Sequence, residues 1–274
     1  MLAAFAQPKE DGGFDSNLGG YLHKLASRKP TVLLAFPPKA AGTFLRSAAI
    51  KAIDGQLHRI VHAQGGRDAQ LYLPALIAYY AGAFGKAPLV THVHMQALSA
   101  NCRFLEALDL KPVVMLRSIP DMLASYWDML ETDAKARLEG LNCLIPPLFP
   151  SMPRNDKAGF LIDVLGPWYA SYFATWLDYA KQAPERVLLL RYADFVREPA
   201  EMLSRVLAHS GVAKPPDRCQ YAVDLIWNER GKFRFNKGTA GRGREYFTPD
   251  HVDRLARTLS YYPISQDLQT ELLA

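Results

Sequence analysis

The 274-residue chain has little cysteine, no long apolar run and no dense run of basic residues. Its three cysteines, Cys102, Cys143 and Cys219, are scattered and odd in number. No pair has metal-ligand spacing, which argues against a disulfide framework or a zinc site and predicts idle thiols in a reducing compartment. No apolar run is long enough to span a bilayer, so no stable membrane insertion is expected. The first twenty residues lack the basic start and apolar core of a signal peptide, and the expected location is cytoplasmic. Nucleic acid is not an expected partner, because no Lys/Arg tract with interleaved aromatics is present. A low-complexity tract, an internal repeat and a separable linker are also missing. Charged residues make up 22% of the chain and apolar residues 49%, a balance suited to one large folded core. The formal charge of +5 fits a small polyanionic ligand.

What is present is an alternation of short apolar runs with amphipathic segments. Strands are predicted at Thr31–Phe36, Pro88–His94, Pro112–Leu116 and Arg186–Leu190. Helices are predicted over about 42–53, 71–84, 97–108, 119–130 and 160–182, and helices dominate after the last strand. Residues 140–158 read as a Pro-rich loop and 230–248 as a basic, Gly-rich loop. Thr248 and Pro249 read as the cap and first residue of another helix. The expected fold class is α/β, a single domain over 1–274 with a loose arm at 1–28. Its central parallel sheet is flanked by helices and carries a P-loop-like strand–loop–helix nucleotide site. In such folds ligands bind beyond the carboxyl ends of the strands.

One strand end carries FPPKAAGTF, residues 36–44. The Walker pattern Gly-x-x-x-x-Gly-Lys-Ser/Thr is absent. Yet Lys39 supplies a charge, Thr43 a hydroxyl, Gly42 a close approach, and the helix start its amides and dipole, a combination suited to an anion. Alone, the loop is equally compatible with an ordinary turn bearing an exposed lysine. A second strand end carries Arg117, with Ser125 eight residues later in LRSIPDMLAS.

Together these stretches resemble the cytosolic-type sulfotransferases that use 3′-phosphoadenosine 5′-phosphosulfate (PAPS). That family's loop reads Tyr-Pro-Lys-Ser-Gly-Thr-Thr-Trp, and residues 38–44 align with it without a gap. The resemblance implies that Lys39, Gly42 and Thr43 bind the 5′-phosphosulfate and that Phe44 replaces an adenine-stacking tryptophan. It further implies that Arg117 and Ser125 bind the 3′-phosphate and that Tyr192, in LLLRYADF, faces the adenine. FNKGTAGRGREYFT resembles the loop that opens with Arg-Lys-Gly in the family. Lys237 and Gly238 match, Asn236 stands for the arginine, and Gly243 for a later tryptophan. The resemblance implies PAPS as donor, adenosine 3′,5′-bisphosphate (PAP) as product, and no metal.

The family places a base within Lys-Thr-His after its second strand. Here VTHVH offers His92, which copies Thr-His, and His94, whose spacing to Arg117 is closer to the family's. Both are candidate catalytic bases, with Lys39 as the third catalytic candidate, and Val90 takes the place of the family's lysine. His58 and His62 are candidates for the acceptor side. Trp168, Tyr169 and Phe173 read as core or as walls of an acceptor pocket. The acceptor is expected to be a small molecule, glycan or lipid. Two competing readings are an ATP-dependent P-loop kinase and a nucleotide binder without turnover.

Overall fold

The structure, a computed structural model, describes residue 20 and residues 30–61, 70–80, 87–139, 145–229 and 241–274. Five strands form one all-parallel sheet in the order β2-β3-β1-β4-β5. They are β1 (Thr31–Leu34), β2 (Gln56–Leu57), β3 (Leu89–His92), β4 (Pro112–Leu116) and β5 (Leu188–Arg191). The three central strands are buried along their whole length. That is why they read as unbroken apolar runs: helices cover both faces, so neither set of alternating side chains meets water.

The helices that matter to the site follow strand ends. They are α1 (Gly42–Ile53) after β1, α2 (Leu73–Tyr80), α3 (Ser99–Ala107) and α4 (Ile119–Thr132) after β4. Next come α5 (Ala134–Glu139), α6 (Arg154–Phe160), a π-helical turn at Leu161–Leu165, and α7 (Gly166–Gln182). After β5 come α8 (Tyr192–Arg197), α9 (Pro199–His209), α10 (Pro216–Asn228), α11 (Gly243–Tyr246), α12 (Pro249–Ser260) and α13 (Gln266–Leu273). Thr248 caps α12 through a reciprocal bond with His251, with Pro249 in the first turn, as the sequence predicts.

The chain runs from β1 toward β2 and β3 on one side, and from β4 toward β5 on the other. The connections therefore diverge between β1 and β4, and that divergence opens a crevice at the carboxyl ends of these two strands. Both the Lys39 loop and Arg117 leave strands at this point.

Three expectations differ from the fold. Strand β2 was not expected; it is two exposed residues, too short and too polar to leave a hydrophobic signal. Residues 154–158 are helical, whereas the sequence predicts a loop through 158. Pro153 occupies the N-cap of α6, so the last proline of that stretch starts a helix instead of extending the loop. Strand β3 stops at His92, which leaves His94 beyond the strand. The arm at 1–28, apart from residue 20, lies outside the described residues, as do 81–84 of the expected 71–84 helix and 140–144 of the loop.

Candidate functional site

The loop after β1 is held by its carbonyls. Tyr172 Oη donates to Ala35 O, Tyr169 Oη to Pro38 O at 3.2 Å, and Arg117 Nη1 to Lys39 O at 2.5 Å. With its carbonyls tied outward, the loop takes two left-handed turns, at Lys39 (φ 66°) and Ala41 (φ 63°). Ala41 occupies the glycine position of the motif that the loop resembles, so its left-handed backbone carries strain of about 1–2 kcal/mol. Ala41 is also the N-cap of α1 and offers no side-chain cap. The first turn of α1 contains no acidic residue, and the helix's own ladder begins at Leu45 N to Ala41 O, 3.1 Å. The amides of Gly42, Thr43 and Phe44 therefore open the helix without a capping side chain, an arrangement that favours an anion.

Helix α7 supports this loop and the next. Tyr169, Tyr172 and Trp176 share one helical face. The two tyrosines hold the loop after β1, and Trp176 Nε1 donates to Met95 O at 2.9 Å, just past β3. Sequence reading took the aromatics here as core or pocket wall. They are buried, and their polar ends set the shape of both loops.

His92 and His94 meet edge to face with ring centroids 5.0 Å apart, and each is 7% exposed. His92 lies directly against α1: a Cβ added to Gly42 would stand 2.2 Å from His92 Nε2 and 2.3 Å from Cε1. Glycine at 42 is thus required by the imidazole. Lys39 Nζ lies 3.8 Å from Met129 Sδ of α4, so its ammonium projects across the crevice from β1 toward α4.

Arg117 joins the two halves. Besides bonding Lys39 O, its guanidinium sits 3.9 Å from the centre of the Tyr192 ring, a cation–π contact in a partly desolvated place. Burial pulls the Arg117 pKa below its ordinary value, an effect opposed by Tyr192 and Asp121. Arginine remains cationic through such a shift. Burial likewise raises the pKa of Tyr192, and Arg117 opposes that rise. Ser125 is 4% exposed, two turns into α4.

Phe44 is buried and meets Phe195 and Trp227 in T-shaped contacts, with ring centroids 5.5 Å and 5.9 Å away. Trp227 is 43% exposed and, with Phe195, Val196, Pro199 and Val223, lines a groove of 260 Å³. Sequence reading missed Trp227. Its signal was an exposed tryptophan at the end of an amphipathic helix, too general to single out.

The basic loop returns to the same region. Asp121, 2% exposed, accepts from Gly241 N and Gly243 N at 2.8 Å each. A Cβ on Gly243 would lie 2.5 Å from Pro120 Cβ. The residue that stood out as a missing tryptophan is therefore one that the contact with α4 demands. Asn236, Lys237, Gly238 and His62 lie outside the described residues. His58 is half-buried just past β2, at the far edge of the sheet from β4.

The comparisons with known proteins agree with this architecture. A family profile described as a sulfotransferase domain matches residues 84–227, from just before β3 to Trp227. No curated protein matches the chain. Mouse sulfotransferase SULT7A1 complexed with PAP shares the fold at 14% identity, with a TM-score of 0.65 over 96% of each chain. Retinol dehydratase in complex with androsterone and inactive cofactor PAP matches at 12% identity over 92% of this chain and 87% of that one, with a TM-score of 0.49. A sulfotransferase from Alicyclobacillus acidocaldarius matches at 15% identity over 85% and 92%, with a TM-score of 0.46. With just over half its length matched by the family profile, on a single α/β domain of the same fold, the chain belongs to the sulfotransferase domain family.

Proposed function

We propose that this protein transfers a sulfuryl group from PAPS to a hydroxyl or amine of a small-molecule, glycan or lipid acceptor, by in-line displacement with a histidine base. The observation that carries the reading is Arg117. One guanidinium binds the backbone of the Lys39 loop and stacks on Tyr192, so three residues named by separate motifs meet across one crevice.

The donor set fits such a nucleotide. The uncapped amides of α1, Thr43 and Lys39 suit the 5′-phosphosulfate. Arg117 and Ser125 suit the 3′-phosphate, through a charge-assisted pair and a hydroxyl bond. Tyr192 and the Phe44–Trp227 pair suit the adenine. When bound, PAPS supplies a sulfuryl group joined to its 5′-phosphate through a bridging oxygen. The acceptor oxygen or nitrogen attacks sulfur as that bridging bond breaks, and the base takes the acceptor proton. Lys39 neutralises charge gathering on the bridging oxygen, which departs with PAP. His94 is the proposed base, with His92 as the ring that braces it against α1. Positioning and charge stabilisation do most of the work, as in phosphoryl transfer. Sulfuryl transfer involves one fewer negative charge, and a magnesium clamp is correspondingly less needed. Among the described residues, no helix is long and apolar enough to cross a membrane. The proposed cytoplasmic location rests on the scattered cysteines, of which Cys102 and Cys219 are free thiols.

Calorimetric titration of an Arg117→Ala variant tests the assignment of the 3′-phosphate. PAP affinity is expected to fall by about 2–3 kcal/mol, while affinity for adenosine 5′-phosphate stays nearly unchanged. Equal losses for the two nucleotides would remove the assignment.

A further inference from the structure

Arg242 is 5% exposed, a rare burial for arginine. Its Nη2 donates to Asp128 Oδ2 at 2.8 Å and to Tyr246 Oη at 3.1 Å. Its Nε is buried and has no hydrogen-bond partner among the described residues. A buried N–H without an acceptor is expensive, so this one marks a place where an acceptor belongs.

The backbone on both sides of Arg242 is fixed, because the Asp121 carboxylate takes the amides of Gly241 and Gly243. Asp121, Ser125 and Asp128 follow one another at i, i+4 and i+7 on α4, and so share a face. A side chain rooted beside Asp121 and ending on Asp128 runs along the stripe that contains Ser125. Arg117 stands at the start of the same helix, and the charge of Arg242 helps to pull the Arg117 pKa down. Two guanidinium groups thus lie close enough to feel each other's charge, beside the helix that carries the buried Ser125. The acids nearby do not fully answer them. Asp121 is committed to two backbone amides, and Asp128 is shared with the Tyr246 hydroxyl at 2.5 Å.

We propose that Arg242 is a further donor-binding residue, its Nε–H held over Ser125 to hydrogen-bond the 3′-phosphate of the nucleotide alongside Arg117. The proposal rests on the assignment of Arg117 and Ser125 to that phosphate. It gives the site a second arginine from the loop in which Asn236 stands where the resemblance expects one.

The test is calorimetric titration with PAP and with adenosine 5′-phosphate, using the unaltered protein and the variants Arg242→Gln, Asp128→Asn and Arg117→Ala. Arg242→Gln is expected to weaken PAP by about tenfold or more and to leave adenosine 5′-phosphate within about twofold. Asp128→Asn removes the competing carboxylate, so the preference for PAP over adenosine 5′-phosphate is expected to rise about threefold or more. If Arg242 only anchors Asp128, Asp128→Asn leaves that preference unchanged, which overturns the proposal even where Arg242→Gln is too unstable to titrate. Equal losses for both nucleotides in Arg242→Gln, or no loss, also overturn it. An unaltered protein that binds both nucleotides alike refutes the underlying 3′-phosphate reading. A preference that Arg117→Ala abolishes and Arg242→Gln retains removes the Arg242 assignment alone.

Discussion

Replacing His94 by alanine is expected to slow sulfuryl transfer by about a hundredfold or more, while PAP affinity stays within about twofold. An alcohol acceptor must lose a proton as its oxygen attacks sulfur, and an imidazole is the side chain that accepts a proton near neutral pH. Two imidazoles are candidates, and they are packed differently. His92 ends β3 with its ring pressed onto Gly42 at a distance that excludes any Cβ. His94 lies past the strand, edge to face with His92. The first ring therefore braces the second against the start of α1. His92→Ala is expected to lose much less rate than His94→Ala. The rate profile should also lose its acidic limb in the variant without the base, since no imidazole remains there to be protonated. A large loss at His92 with an unaffected His94 variant would reverse the two roles. Full activity in both variants would move the base to another residue on the acceptor side.

Lys39→Ala is expected to lower turnover by about a hundredfold to a thousandfold, with donor affinity changed by less than about tenfold. In the proposed reaction the ammonium faces a bridging oxygen whose charge grows as the sulfur–oxygen bond breaks, so most of its stabilisation is expected in the transition state. Three features fix where the side chain lies: the left-handed turn at Lys39, the Arg117 bond to its carbonyl, and the reach of Nζ to Met129. Val90, at the position of a lysine in the resembling motif, supplies no second cation, and the proposed reaction therefore leans more on Lys39. A variant with near-normal kcat and only a raised KM would show that Lys39 binds ground state and transition state alike.

Four of the five strands, and the placing of Lys39 and Arg117 at strand ends, were readable because buried parallel strands must be continuous apolar runs. Where burial writes no such pattern, the reading failed. Strand β2 is two exposed residues held by backbone pairing to β3, and its side chains contain no record of that pairing. The tyrosines of α7 read as core because their rings are core. Their bonds to Ala35 and Pro38 cross more than 130 residues of chain, a separation over which composition and spacing are silent. Gly243 read as a lost tryptophan, because the contact that requires glycine lies on Pro120, far away in sequence. Arg242 went unnoticed within a basic loop for the same reason: its neighbours on α4 come together only in the fold.

The central claim is that this crevice is built for a 3′-phosphorylated adenine nucleotide and not for a nucleoside triphosphate. Calorimetric titration of the unaltered protein with PAP and with ATP, each with and without Mg²⁺, tests it most directly. The account predicts that PAP binds without Mg²⁺ and at least about tenfold more tightly than ATP, because Arg117 and Ser125 gain a phosphate that ATP does not carry. ATP binding as tightly as PAP, or requiring Mg²⁺ to do so, would contradict it and return the loop to the kinase reading.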